Sequence, residues 1–496
     1  MVGARRWPGE PVLAVAAGLA GAFVLVVATV LTSPLIAAAI FVSAVAGLAI
    51  IAFAPGLSLI AVALVVPLER IGRFGDDLSL ETFSFMRLVG LLALAAVLAN
   101  MVMKRQRLEW SVPLTLYGIL QAQAVFSIFY AVDPEATQAE AVTMLGAFLM
   151  MFTISQGTRD WRLIDAMILA WLAATIIIGV YQVYDWHFGT VLSDSEIGEA
   201  ATRFSTTINA MSENDTLGAV RRAVGTTSNF AVYGINLLLA MPFLFYRLKL
   251  ARSPAGQLFW IASIGLIFYN ILLTNTRATL IFAILLFGII AAVQLYRITA
   301  GRLLIALAGA AAMIPFLPQS IWDRILNPHA YELEKATNLS WRFDLWRAAL
   351  RLGADNWLHG IGVGNRTAII ALLDPTRFEG DWIMAHNEFL QLFTELGLPG
   401  LLVFLAFLGS ILWKTWALLR QSEADPHLAR QRWFAAAALS SLIIAPLFAL
   451  QVDAFHFPLK GWWLVASLVL VADRLARQRS HFEVPDQFGR PGLDRP

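Results

Sequence analysis

Apolar runs of about 20 residues recur along most of this 496-residue chain, and a helix of that length is what crosses the hydrocarbon core of a bilayer. Bounded by charge, proline and glycine, the candidate spans are 11–32, 34–53, 56–68, 83–103, 112–131, 139–155, 163–185, 229–246, 258–275, 277–296, 303–318, 388–413, 433–452 and 457–473, of which the third is short. Composition agrees: 58% of residues are hydrophobic and 14% charged, with a mean hydropathy of +0.69. The expected fold class is an all-α polytopic integral membrane protein with about 12 to 14 transmembrane helices. The N-terminal MVGARRWPGEP precedes a long apolar run without a small-residue cleavage site, so it reads as the approach to a first spanning helix.

Charge gives the expected orientation. A formal net charge of +2 and a pI near 8.9 could suggest nucleic acid, but excess Lys and Arg in a membrane protein marks cytoplasmic loops, and nucleic-acid binding is not expected. With the Arg5-Arg6 end inside, alternation puts Met103–Arg107, Thr158–Arg162, Arg247–Arg252, Arg297–Arg302, Lys414–Arg432 and Asp473–Arg479 on the inner side, and every one is basic. Cysteine is absent, which removes disulfides, thiolate nucleophiles and thiolate metal sites.

Residues 1–479 form one multi-helix membrane domain in this reading, and the polar run 480–496 reads as a disordered cytoplasmic tail. Two outer connections are long, at about 185–228 and 319–385, and long connections in compact proteins usually hold function. Within the second, SWRFDLWRAALRL places Trp341, Leu345, Ala348 and Leu352 on one face and Asp344, Arg347 and Arg351 on another. This predicts a short amphipathic helix on the outer surface, over a cavity, or packed down the loop.

Charged groups in or beside spans cost free energy, so each needs a reason. Arg277 falls at the outer end of its span, His386 at the outer end of another, and Arg221 and Arg222 just before the outer start of a third. None was used to choose that face. Taken singly, Arg277 can snorkel to headgroups, the arginine pair can be ordinary loop charges, and His386 can be a satisfied polar residue at a helix start. Taken together, guanidinium forks suit phosphate oxygens, and a histidine can take a proton from a hydroxyl near neutral pH. Gly360, Gly362 and Gly364 alternate in NWLHGIGVGN, which allows positive φ or close approach to a ligand; no βαβ context supports a dinucleotide site. Glu395 lies about half a turn round from His386 on a regular helix, so it is expected to hydrogen-bond a neighbouring helix, while Gly397, Pro399 and Gly400 can kink the helix or admit another backbone.

HNEFLQLFTELGLPG resembles the signature of the O-antigen ligase and polymerase superfamily, in which such a run opens a helix after a large periplasmic loop. RAVGTTSNFAVYG, TNTRATLIF, SWRFDLWRAAL and HGIGVGN resemble further family segments in order and spacing, so the ligase/polymerase-like core spans 220–410, with 319–385 as the large periplasmic loop. TNTRAT departs from a more usual Ser-Arg-Gly, and Ser228-Asn229 from Pro-Asn. The resemblance implies a bacterial inner-membrane enzyme resembling the C class of glycosyltransferases. Its donor would be an undecaprenyl diphosphate-linked glycan, and its acceptor a carrier-linked repeat or lipid A core. Both termini would be cytoplasmic and the active site periplasmic. Other polysaccharide assembly proteins would be partners, and no cofactor or metal is expected; Asp194-Ser195-Glu196 reads as solvated loop charge. By the same resemblance Arg222 and Arg277 would neutralise the leaving diphosphate and His386 would be the base, with inversion at the anomeric carbon. Arg342, Asn387, Gly360 and Gly362 would shape the substrate site, supported by Glu395, Gly397 and Gly400. A flippase or transporter of lipid-linked glycan should line a path across the membrane with charge, and a non-catalytic component of an assembly complex needs no clustering; purified turnover separates these readings.

Overall fold

A computed structural model describes residues 54–68, 73–74, 83–189, 192–193, 207–210, 220–227, 229–295, 332–365, 368, 385–423, 428–452 and 459–482. The helices within them are α1 (Pro55–Val65), α2 (Phe85–Met103), α3 (Val112–Phe126), α4 (Pro134–Gly157), α5 (Trp161–Phe188), α6 (Phe230–Leu250), α7 (Pro254–Leu273), α8 (Arg277–Ala292), α9 (Glu332–Asp355), α10 (Glu388–Glu423), α11 (Ala429–Phe448) and α12 (Lys460–Phe482). The short strands are β1 (Arg73–Phe74), β2 (Phe83–Ser84), β3 (Leu192–Ser193), β4 (Thr207–Ala210) and β5 (Val220–Ala223). The candidate spans at 11–32, 34–53 and 303–318 lie outside the described residues, as do Asp194-Ser195-Glu196 and the chain beyond residue 482; each remaining span coincides with a helix. The helix α12 continues to Phe482, two residues past the expected start of the tail.

Eight helices among the described residues are long and apolar enough to cross a membrane. Four others fall outside that set, one of them the loop helix α9. The helix α1, at 11 residues, rises about 16 Å, roughly half the hydrocarbon thickness. The helix α8 has 16 residues, and in α12 the charges of Asp473, Arg474 and Arg477 follow the apolar half. Starts are written in local chemistry. Pro134 follows Asp133, whose carboxylate accepts from the amides of Glu135 and Ala136, and Pro254 follows Ser253, which accepts from Gly256. Large apolar side chains such as Leu91, Ile177, Phe259, Ile281 and Leu402 are exposed on helix exteriors, where a bilayer would meet them.

Side-chain contacts tie the basic loops together at one end of the bundle. Arg159 donates to Gln106, Arg474 to Thr158 O, Tyr246 to Asp165, Arg432 to Gln294 and Lys414 to Asp473. At the opposite end, Thr226 donates to Pro67 O after α1. There too Asn275 Nδ2 lies 3.4 Å from Arg221 O, and Glu388 N lies 2.9 Å from Ala449 O. The basic loops among the described residues therefore gather at one end of the bundle.

Two helices, α6 and α11, occupy the middle and are buried along most of their length. In lipid, helices associate through close packing and shared polar contacts more than through transfer from water. The buried run Ala435–Ala438 keeps α11 slim, and Ser441 donates to Leu239 O of α6 at 2.8 Å. A methyl at Gly234 of α6 would fall 2.5 Å from Thr279 Oγ1 of α8. Phe282 of α8 meets Phe448 of α11 at 5.1 Å. These contacts, with that of Glu388 N on Ala449 O, bring the starts of α6, α8 and α10 and the close of α11 to the same end of the bundle.

Candidate active site

The arginine pair sits on β5, antiparallel to β4, with Ile208 opposite Arg222 and Asn209 opposite Arg221. Successive strand residues point to opposite faces, and the two guanidiniums separate accordingly. That of Arg221 lies 4.9 Å from the Trp186 ring, with Nη2 3.4 Å from Asp185 O; burial lowers its pKa and the Asp185 carboxylate opposes that. That of Arg222 lies 4.2 Å from the Phe230 ring at the start of α6. The turn after them is pinned to α5, where Gly225 N donates to Gln182 Oε1 at 3.0 Å. Gly225 has φ +57, and a methyl there would fall 2.3 Å from the Tyr233 ring. Asn229 then caps α6, accepting from Ala231 N at 2.7 Å, although the Ser-Asn sequence departs from the family's usual Pro-Asn. Ser228 lies outside the described residues.

Arg277 is the first residue of α8 and is exposed. Before it Asn275 takes φ +50, a left-handed conformation that asparagine tolerates better than most residues. Thr276 stands at the cap position, but its hydroxyl donates to Thr274 O at 3.1 Å and does not cap the helix; the arginine therefore stands at the positive end of α8.

His386 precedes α10 with φ +49. Asn387 Oδ1 accepts from Phe389 N at 3.1 Å and Leu390 N at 3.2 Å, so its side-chain oxygen caps the helix. The predicted amphipathic helix, α9, is docked on the start of α10. Leu345, Ala348 and Ala349 bury against Ala385, and a methyl at Gly353 would fall 2.5 Å from the Phe393 ring. This brings Arg342 beside His386. Burial first, and the Arg342 charge second, lower the imidazole pKa to about 4, which keeps the ring neutral at pH 7.

The glycine turn does other work. Within α10, Gly397 leaves helical geometry at φ 67, ψ −171, and Pro399 follows. Proline has no amide hydrogen to give the carbonyl four residues back, so Glu395 O accepts instead from Gly362 N at 3.0 Å. Thr394 O takes Ile361 N at 3.0 Å, and Leu398 N turns to Trp357 O at 2.7 Å. The loop turn and the broken helix thus satisfy each other's backbone, as non-helical chain at membrane depth requires. Gly360 (φ +72) and Gly362 (φ +96) are glycines because a methyl would fall 2.2 Å from Glu395 O or 2.5 Å from Ala131 Cβ. Nine residues along α10 correspond to roughly 13 Å of rise, so the turn meets α10 at its break and not at His386. Gly400 leaves room for the Leu396 side chain.

Glu395 is engaged within its own helix, where Gln391 Nε2 donates to Glu395 Oε1 at 2.7 Å. Beneath the helix start, Glu388, Glu395, Glu140 and Tyr117 line a small cavity with Leu392, Phe404 and Trp463. Sequence reasoning passed over Gln391, Glu140, Tyr117 and Trp346. Gln391 had a local signal in its i, i+4 spacing to Glu395, whereas Tyr117 and Glu140 come from other helices and had none.

Residues 260–405 match the family model described as O-antigen ligase. The matched region holds Arg277, Arg342, the glycine turn, His386 and Glu395, and supports the superfamily resemblance read from the sequence; Arg222 lies before it. No curated protein matches the chain.

Proposed function

From a chain whose residues 260–405 carry the O-antigen ligase pattern, we propose a membrane glycosyltransferase that moves a glycan from an undecaprenyl diphosphate carrier to a sugar hydroxyl, in polymerisation or ligation of a cell-surface polysaccharide. The observation that carries the reading is the placement of a neutral His386, with Arg342 beside it, at the end of the bundle that also holds Arg222 and Arg277 and lies opposite the basic loops. The positive-inside bias puts the basic end in the cytoplasm and the site at the periplasmic face of the inner membrane.

In the proposed step the acceptor oxygen forms a bond to the anomeric carbon as the bond from that carbon to the carrier diphosphate breaks. The leaving diphosphate is already an anion, so it needs charge neutralisation more than a proton. Arg222 and Arg277 supply that, the latter together with the positive end of α8. The hydroxyl proton passes to the His386 imidazole, which in its neutral form can accept one. A pKa near 4 makes the free enzyme's imidazole a weak base; the donor's negative charge, once bound, raises it. One displacement inverts the anomeric centre. The scheme uses no metal or cofactor.

The test supplies purified protein with a polyprenyl diphosphate oligosaccharide, with and without a lipid A core acceptor, and follows product length and carrier release. Longer carrier-linked chains without the core mean polymerase, and single transfer requiring the core means ligase. Absence of transfer under both conditions, from protein that binds the donor, overturns the enzyme reading in favour of transport or a non-catalytic role.

A further inference from the structure

Two residues that the reaction scheme leaves unused grip the residue before His386. Ala385 is fully buried. Its carbonyl accepts from Trp346 Nε1 on α9 at 2.9 Å, and its amide reaches Gln391 Oε1 on α10 at 3.4 Å. Gln391 is itself buried, and its Nε2 donates to the buried Glu395. A carboxylate only accepts, so Glu395 fixes which end of the Gln391 amide faces it and leaves the oxygen turned to Ala385. On the other side of His386 the Asn387 cap fixes the start of α10. The left-handed His386 backbone is therefore held from both neighbours, by a loop helix and by a spanning helix at once.

We propose that Trp346 and Gln391 are positioning residues for His386, clamping Ala385 so that the imidazole keeps one direction toward the acceptor hydroxyl, with Glu395 orienting the Gln391 amide. The proposal rests on the reading of His386 as the base. It also gives the acid two turns inside the helix a task in the chemistry of the histidine at its lip. Tertiary docking supplies the clamp: Trp346 and Ala385 are brought together only when α9 seats on α10.

Among the described residues, charged and titratable groups near this point include Arg342 from α9, Glu388 and Glu395 from α10, and Glu140 and Tyr117, which line the cavity under Glu388 from α4 and α3. Loosening the clamp admits water to the ring, and its acid limb then rises from about 4 toward the ordinary value of about 6.5. A substitution that only weakens the fold lowers the amount of active protein at every pH and leaves that limb in place.

The experiment compares the purified full chain with its Trp346→Phe, Gln391→Met and His386→Ala variants on a polyprenyl diphosphate oligosaccharide. The thioether keeps the packing volume and the phenyl ring most of it, and both remove the hydrogen bonds. Each clamp variant is expected to elute like wild type and to melt slightly below it, to keep its KM for donor, to lose about tenfold in kcat, and to show the raised acid limb in kcat/KM. The two break different bonds, so either one that folds gives the answer. His386→Ala inactive, with both clamp variants at wild-type kcat and pH profile, overturns the clamp alone. His386→Ala at wild-type turnover overturns the base reading, and the clamp with it.

Discussion

Replacing Gly360 by alanine tests the joint between the loop turn and the break in α10. At φ +72 a methyl would stand 2.2 Å from Glu395 O, and that carbonyl is backbone already held by Gly362 N. Left-handed geometry costs an L-residue about 1 to 2 kcal/mol. Relief of the contact by moving the turn away gives up the hydrogen bonds from Ile361 N to Thr394 O and from Gly362 N to Glu395 O, about 1 kcal/mol each, and more if the buried carbonyls stay unpaired. The sum is about 3 to 4 kcal/mol, a loss of roughly a hundredfold or more in the population of the native joint. Thermal melting of the purified protein in detergent measures it, against a Gly265→Ala control. Gly265 lies within α7 with no atom within 4 Å of the added methyl, so that substitution should be neutral or mildly stabilising. Equal melting of Gly360→Ala and Gly265→Ala would refute the claim that this turn holds the broken helix.

Three further outcomes are expected. Arg222→Ala and Arg277→Ala should each cut kcat about 10²- to 10³-fold at normal expression, measured as carrier release, whereas Arg221→Gln should keep turnover because Trp186 and Asp185 already engage that side chain. The pH profile of kcat/KM, which reports the free enzyme, should show an acid limb near 4, and that of kcat a higher one once donor charge is bound. Stability follows the same group: the folded state binds fewer protons than the unfolded state between about 6.5 and 4, so the gain from keeping His386 neutral is full above that window and is lost as pH falls through it, readable as melting temperature against pH. Asn387→Ala should cost about 1 kcal/mol through loss of the α10 cap, with Asn387→Asp or Asn387→Ser restoring most of it in the same melt; a substrate-contacting role would instead raise KM.

Much of the site was legible because its parts announce themselves locally. An arginine at the first turn of an apolar run, a histidine at the lip of another, and glycines spaced for positive φ are visible without knowing what they touch. What they touch was not. Gly360 and Gly362 looked like a place for a ligand backbone, yet the close neighbours are Glu395 and Ala131. The hydrogen bond from Gln391 to Glu395 one turn on was open to the i, i+4 spacing, but the Ala385 amide that the same Gln391 side chain reaches was not. Arg221 and Arg222 were alike as letters and became different residues once strand alternation sent one to Trp186 and the other to Phe230.

The sequence by itself determined where the helices run and which loops gather at the basic end of the bundle. In a bilayer each spanning segment must satisfy its own backbone, and loop charge biases orientation, so both are properties of short stretches. Tertiary structure alone decided the loop turn docked at the α10 break, the seat of α9 beside His386, the grip on Ala385 and the acid-lined cavity. Those contacts join residues far apart in the chain, such as Val132 N to Ile361 O and Gly362 N to Glu395 O. Sequence periodicity reaches only neighbours within a turn or two of helix.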